Sequence, residues 1–444
     1  MATVTERSDT FKATGSRAAQ LSARAKRVMP GGNTRTTVYQ APWPPYAARG
    51  RGALLIDADG DERIDFINNY TSLLHGHADP DIIEAVTEQL QLGAAFAMPT
   101  EREIILAELL ADRISSIEQV RFTNSGSEGV MMAIKAARAY TGRSKIVIFE
   151  GSYHGSYDAA EAGMPPNGSA LEANPQAWAY SFGTPQGVLE NVIVLPYNNL
   201  AALSTALEQF GRQIAAVMID PMPLRLGMIK ADPGYIMKMR EMTTALGIVL
   251  IFDEVVNLRV AYGGTQSLYD VKPDLTAMGK IIGGGFATGA VGGSAEVMSV
   301  FDPTKGSKAP HGGTFNANPI TMTAGAVAMQ KFDSVAVDRL NARSEMLRDG
   351  VATAMADAGI DGQVTGAGSL FTIHFHNRPL TEYRSSILSR DEQVAASGFY
   401  QAMLGHGIFM SSTLSGCLST PMGETEVSAF LEAFKASVVE ARLA

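Results

Sequence analysis

Residues 248–256 read IVLIFDEVV, and residues 273–286 read PDLTAMGKIIGGGF. An apolar run ends in an acid, Asp253, and a second short apolar run ends in Lys280, just ahead of three glycines. Continuous apolar runs of this length read as strands buried on both faces of a parallel sheet. Each run then delivers an ionisable group to a strand end, where open α/β sheets bind their ligands. A carboxylate and an amine in such apolar company are expensive to bury unless they do chemistry.

On either side of this stretch the pattern alternates between strand and helix. Residues 120–122, Lys145–Phe149, Ile214–Ile219 and Gly289–Gly293 read as further strands, and residues 127–140 and 319–329 as helices. Residues 75–330 are therefore expected to form a large, mostly parallel α/β domain. Upstream, residues 18–28 read as an amphipathic helix, residues 53–57 and 63–66 flank Asp59-Gly60 as a hairpin, and a helical period runs over 79–92. Residues 1–74 are assigned to this N-terminal helix and hairpin, which are expected to join a smaller α+β domain over 331–444. That domain should hold strands at 370–376 and 408–411 and a final helix at 424–443. The irregular stretch 163–187, rich in Pro, Gly and Ser, reads equally as a lid or as plain disorder.

At 444 residues the chain has room for two or three domains around a large core. Hydrophobic residues at 46% and charged residues at 18% make an ordinary globular balance. A net charge of −9 supplies no basic stripe, so nucleic acid is not an expected partner. No apolar run approaches the roughly 20 residues needed to cross a bilayer, so no membrane segment is expected. The N-terminal residues carry no apolar signal core and Cys417 is the only cysteine, so the expected setting is the reducing cytoplasm.

Several places can carry chemistry. Phe122-Thr-Asn-Ser125-Gly126-Ser127-Glu128 reads as a strand, a small polar turn and a helix start. Bare N–H groups and serine hydroxyls there cradle a phosphate, or simply cap a helix. In Gly151-Ser-Tyr153-His154-Gly155 an aromatic can lie flat on a planar group, or pack in a surface turn. Asp253 can hold a metal, activate water or pair with a heterocyclic N–H. No HxH or DxD spacing stands nearby and the seven histidines are scattered, so no metal is expected. Lys280 should have a lowered pKa and a nucleophilic neutral amine, unless it is a solvated loop lysine. The glycines follow it, which excludes a Walker-type loop. Thr314, ahead of the helix that starts at Pro319, can donate to a phosphate across a subunit boundary or act as a cap. Pyridoxal phosphate is one cofactor that needs both an amine for its aldehyde and an acid for its ring nitrogen.

Taken in order, Asn124-Ser-Gly-Ser-Glu128, Tyr153-His-Gly155, Asp253-Glu-Val255, Lys280 and Gly313-Thr-Phe315 resemble the class III aminotransferases, over most of the chain. The resemblance implies the α/β fold-type I architecture, pyridoxal phosphate and a homodimer with shared active sites. It implies that Lys280 binds the cofactor and moves the proton, while Asp253 pairs with the ring nitrogen. Tyr153, beside His154, would stack on one face of the ring and Val255 would pack on the other. Ser125, Gly126 and Ser127 would cup the phosphate, joined by Thr314 of a neighbouring copy. The implied chemistry is ping-pong: an amine donor leaves its nitrogen and a keto acid takes it up.

Within that class, Met29-Pro-Gly-Gly-Asn-Thr-Arg35 is like glutamate-1-semialdehyde aminomutases and the β-amino acid aminotransferases related to them. Asp253-Glu-Val-Val-Asn-Leu-Arg259 is one residue shorter than the aminomutase form DEVMTGFR and is similar to β-phenylalanine aminotransferases. So are Asn33-Thr-Arg35, residues 66–71 and Phe301-Asp-Pro303. That branch implies Arg35, with Tyr70, as the clamp for a substrate carboxylate, a bidentate task that suits guanidinium. A surface salt bridge is the other reading of Arg35. Two departures stand out: Leu414 stands where those enzymes carry a C-terminal Arg, and Asp220-Pro221 replaces Glu-Pro, with Arg225 shortly after. Either Arg225 replaces the missing Arg or the second pocket is apolar. The alternatives to a β-amino acid transaminase are an intramolecular aminomutase and an ω-amine:pyruvate transaminase. A cofactor-binding regulator would need a basic helix-turn-helix that neither end supplies.

Overall fold

A computed structural model describes residues 9–166 and 171–443. Seven strands form the central sheet, in the order Gln119–Thr123, Gly289–Gly293, Leu275–Gly279, Val249–Asp253, Ile214–Ile219, Lys145–Phe149, Val192–Leu195. All share one direction except Gly289–Gly293, which is antiparallel to both neighbours. Every residue of Ile214–Ile219 and Val249–Asp253 is buried, as continuous apolar runs covered on both faces must be. One face takes Gly126–Thr141 through Ala133, Ala136 and Ala137. The other takes Leu200–Phe210 and Pro233–Leu246 through Leu203, Leu207, Ile236 and Met239. Each large apolar side chain buried this way stabilises the fold by about 1.5–3 kcal/mol. Glycine at 289 is a packing requirement, since a Cβ there would lie 2.0 Å from the Ser125 carbonyl oxygen. Because six strands point the same way, residues 124–127, 150–154, Asp220, Asp253 and Lys280 gather along one edge of the sheet.

The expected hairpin forms between Leu54–Asp57 and Glu62–Asp65. Ile408–Phe409 then adds to Glu62–Asp65 in parallel, so segments near both chain ends share one sheet. Gln363–Thr365, Leu370–His374 and Ser415–Cys417 make a third, antiparallel sheet. One apolar cluster runs from Phe66 through Leu106 and Ile281 to Phe399, Phe430 and Phe434, tying the lysine turn to both ends of the chain.

Several boundaries differ from expectation. The first helix is Arg17–Ala25, ending early as the N–H groups of Arg27 and Val28 tighten onto the carbonyls three residues back, Arg24 and Ala25. The late strands are Leu370–His374 and Ile408–Phe409, and the final helix stops at Glu440. Helices Glu101–Arg113, Leu200–Phe210, Pro233–Leu246 and Arg390–Gly405 and the strand Val192–Leu195 were not expected. The 163–187 stretch is tied down where described: Trp178 N–H donates to the Ala162 carbonyl and Ser181 Oγ donates to Glu161 Oε1. Residues 167–170 of it lie outside the described residues. Among the described residues no helix is long and apolar enough to cross a membrane.

Candidate active site

Asp253 ends its strand almost completely buried, and its two oxygens are already oriented. Oδ1 accepts the Val255 N–H at 3.1 Å, and Oδ2 lies 2.7 Å from His154 Nδ1, which donates to it. His154 is itself buried, and its Nε2 has no hydrogen-bond partner among the described residues. Asp220 directly follows the neighbouring strand, and its Oδ1 accepts from Met222 N–H at 2.8 Å and Asn257 Nδ2 at 2.5 Å. Burial, and then the charge of Asp253, push the Asp220 carboxyl up from the usual range. Glu254 faces away and holds the following loop, accepting from Thr265 N–H, Gln266 N–H and Gln266 Nε2. Burial pushes it up to about 7.

Lys280 opens the turn after Leu275–Gly279 with φ of +50°, a left-handed conformation that a side chain rarely adopts. It keeps some exposure to the open edge, yet the protein around it pushes the ammonium down from the ordinary lysine range. Asp253 and Asp220 pull the other way. Gly126 and Ser127 start the helix Gly126–Thr141, with Ser125 Oγ accepting the Glu128 N–H as its cap. This helix start is kept bare by packing. A Cβ on Gly126 would lie 2.7 Å from Val255 Cγ1, and one on Gly155 would lie 2.4 Å from Ser127 Oγ. A Cβ on Gly279, next to Lys280, would lie 3.2 Å from Gly126 Cα. The fold thus brings Ser125, Gly126, Ser127, His154, Asp253, Val255 and Lys280 into one cluster, although they come from four separate strand ends.

Other expected residues lie around this cluster. Tyr153 is 50% exposed on the loop beside His154. Thr314 is exposed, on a loop tied to the cluster by Asn124 Nδ2 donating to Asn316 Oδ1 at 2.7 Å. It borders a small cavity with Phe96, Met98 and Thr100. Arg35 is exposed; its Nη1 donates to Asn69 Oδ1 at 3.1 Å and its guanidinium lies 5.6 Å from the Tyr70 ring centre. Arg225 sits on the turn Leu224–Leu226 with its charge near the phenol of Tyr383, whose ring packs on Gly151. Leu414 is buried at φ of +58°. Among the described residues no group of three or more His, Cys, Asp or Glu is placed to hold a metal.

Sequence reasoning passed over several groups that the structure brings to this region. Arg384 makes a two-point contact with the buried Glu150, Nε to Oε2 at 2.7 Å and Nη2 to Oε1 at 2.9 Å, directly before Gly151. Residues 68–71 form a left-handed turn with no glycine, at φ of 48°, 47°, 56° and 73°. Such residues cost roughly 1–2 kcal/mol each, somewhat less for asparagine. Asn69 was not expected as a partner of Arg35. Glu150, an acid after an apolar strand just as Asp253 is, was the one signal available in advance.

These features can be tested against the cofactor they imply. A phosphate fits a helix start kept bare by close packing. A protonated ring nitrogen fits a buried carboxylate that is oriented by a histidine and has lone pairs to spare. An aldehyde fits an amine that burial drives toward its neutral form. The donor set and pyridoxal phosphate therefore agree.

The chain matches the family model for aminotransferase class-III over residues 38–418. It is 37% identical to a glutamate-1-semialdehyde 2,1-aminomutase of Methanothermobacter thermautotrophicus, covering 93% of this chain and 97% of that one. Among solved structures, an omega-transaminase from Sphaerobacter thermophilus superposes with a TM-score of 0.96 at 60% identity, covering 98% of this chain and 100% of that one. A β-phenylalanine aminotransferase from Variovorax paradoxus superposes with a TM-score of 0.88 at 34% identity, covering 97% and 96%. The chain belongs to the class III aminotransferases, and its cofactor is pyridoxal phosphate.

Proposed function

We propose that the protein moves an amino group from a carboxylate-bearing amine, a β-amino acid, to a keto acid by a ping-pong mechanism. The observation that carries this is Arg35, laid against Tyr70 by Asn69 with no acid of its own among the described residues. A guanidinium so held offers two parallel N–H groups to a carboxylate. The 60% identity to an omega-transaminase, against 37% to an aminomutase, favours transfer between two molecules. The likeness to a β-phenylalanine aminotransferase favours the β-amino acid.

When bound, pyridoxal phosphate supplies an electron sink for the bond broken at the amine-bearing carbon. The chain's own residues then have separate tasks. Asp253, fixed by His154, would accept the ring N–H. Ser125, Gly126 and Ser127 would hold the phosphate, together with Thr314 of a second copy. Tyr153 and Val255 would pack against the ring. Lys280 Nζ takes up the proton lost from the amine-bearing carbon of the donor, and gives one to the acceptor carbon in the return half. Burial helps, because a neutral amine is the base. Arg35 and Tyr70 orient the donor carboxylate, and Arg225 stands for the second carboxylate pocket. A homodimer would cover the exposed Leu90, Leu92, Phe96, Met98 and Phe315, of which Phe96 and Met98 line the small cavity that Thr314 borders.

The test is incubation of purified protein with β-phenylalanine, an α-amino acid or an arylalkylamine, each with pyruvate or 2-oxoglutarate. Formation of alanine or glutamate, fastest with the β-amino acid, is expected. Isomerisation of glutamate 1-semialdehyde without transfer to either acceptor would instead establish the aminomutase reading, which the sequence relative favours.

A further inference from the structure

Arg259 is completely buried, and no carboxylate pairs with it among the described residues. A buried guanidinium ordinarily takes an acid. Here its donors go to neutral acceptors on three distant segments. Nε donates to Ser369 Oγ at 2.8 Å, Nη1 to the Thr71 carbonyl at 2.9 Å, and Nη2 to the Leu418 carbonyl. Thr71 is the last residue of the left-handed turn 68–71. Four such residues without glycine persist only where the surroundings over-determine them. Asp65 Oδ1 holds the entrance by accepting the N–H groups of Ile67 and Asn68 at 2.9 and 2.8 Å. Asn68 Nδ2 donates to the Cys417 carbonyl at 3.0 Å, and Arg259 holds the exit. The outer side of this turn displays Asn69 and Tyr70, which aim Arg35, and the Tyr70 hydroxyl donates to the Thr37 carbonyl at 3.1 Å.

We propose that Arg259 is a positioning residue for Arg35: by holding the Thr71 carbonyl it fixes the turn that presents Asn69 and Tyr70, and so sets the affinity for a substrate carboxylate it never touches. The inference rests on the reading of Arg35 as the carboxylate clamp. It adds that the clamp's geometry is stored in the buried guanidinium at the far end of the segment that begins with Asp253.

The measurement is the Kd of the holoenzyme for 3-phenylpropionate, a non-reacting carboxylate, by calorimetry, beside the KM for 1-phenylethylamine, which has no carboxylate. Arg259→Lys is expected to weaken 3-phenylpropionate by about tenfold, roughly 1.4 kcal/mol, well beyond its effect on the 1-phenylethylamine KM. Arg35→Ala should weaken binding at least as much, and Arg259→Lys added to it should weaken binding little further, as coupled residues do. Asn69→Gly should weaken 3-phenylpropionate a few-fold while melting no lower, because glycine suits the left-handed backbone. If Arg259→Lys fails to fold, Ser369→Ala removes only the acceptor at Nε and reads the same quantity. A Kd unchanged in the folded variant, or an effect fully additive with Arg35→Ala, overturns the positioning role and leaves Arg35 as the clamp. A Kd unchanged by Arg35→Ala overturns the clamp itself, and the inference with it.

Discussion

At the end of the site that holds Asp253, His154 and Lys280, each anchoring group sits on a buried strand or within a few residues of one. At the end that holds Arg35 the side chain is exposed, its partners lie on a strained turn, and that turn hangs on contacts from residues 259 and 417. The first end draws its rigidity from the sheet core, whose packing tolerates little displacement. The second draws it from a few hydrogen bonds to non-local partners. The chemistry therefore rests on the part of the molecule hardest to perturb, and the choice of substrate on the part easiest to adjust.

Four experiments would break or sharpen this contrast. Lys280→Ala should lower transamination by about 10⁴-fold, since it removes both the amine that meets the cofactor and the base that moves the proton. Stopped-flow absorbance and product assay read it, and substantial residual turnover would contradict the role. Arg35→Ala should raise KM for β-phenylalanine by about 10–100-fold with a much smaller change in kcat, as loss of a charge-assisted hydrogen-bond pair predicts. An equal rise for 1-phenylethylamine would show general damage at that end. Gly126→Ala should cost about 1–3 kcal/mol of stability and loosen the cofactor, because the new methyl meets Val255. Denaturant melts of the apoenzyme and holoenzyme separate the two effects.

The smallest effect concerns His374, which packs against Gly227 beside the Arg225 turn. Burial first, then His376 and Arg378, push it down to about 4. Its folded value lies below the unfolded one, so its contribution is fully present above about pH 6.5 and is lost as pH falls toward 4. The melting temperature should decline over that window, and His374→Asn should flatten the decline. A slope identical to wild type would assign the acid sensitivity elsewhere.

The strands of the large sheet were legible because Ile214–Ile219 and Val249–Asp253 are apolar throughout, the mark of burial on both faces. The missed helices carried readable starts. Asn199 and Asp232 cap two of them by accepting from Ala202 and Tyr235, and Pro233 occupies a first-turn position. Val192–Leu195 was too short for a periodic signal. In the site, the helix start at Gly126 and the strand-end acid were legible as residue types at local positions. The His154–Asp253 and Arg35–Asn69 contacts were not, since each joins residues far apart in the chain.

By itself the sequence determined that an acid and an amine close neighbouring strands ahead of a glycine-rich turn, because burial periodicity and residue type are local properties. The tertiary structure alone decided which carbonyls Arg259 holds, and that four residues without glycine turn left-handed to aim Arg35. Asparagine tolerates that backbone locally, but Tyr70 and Thr71 do not; contacts closed across the fold sustain it.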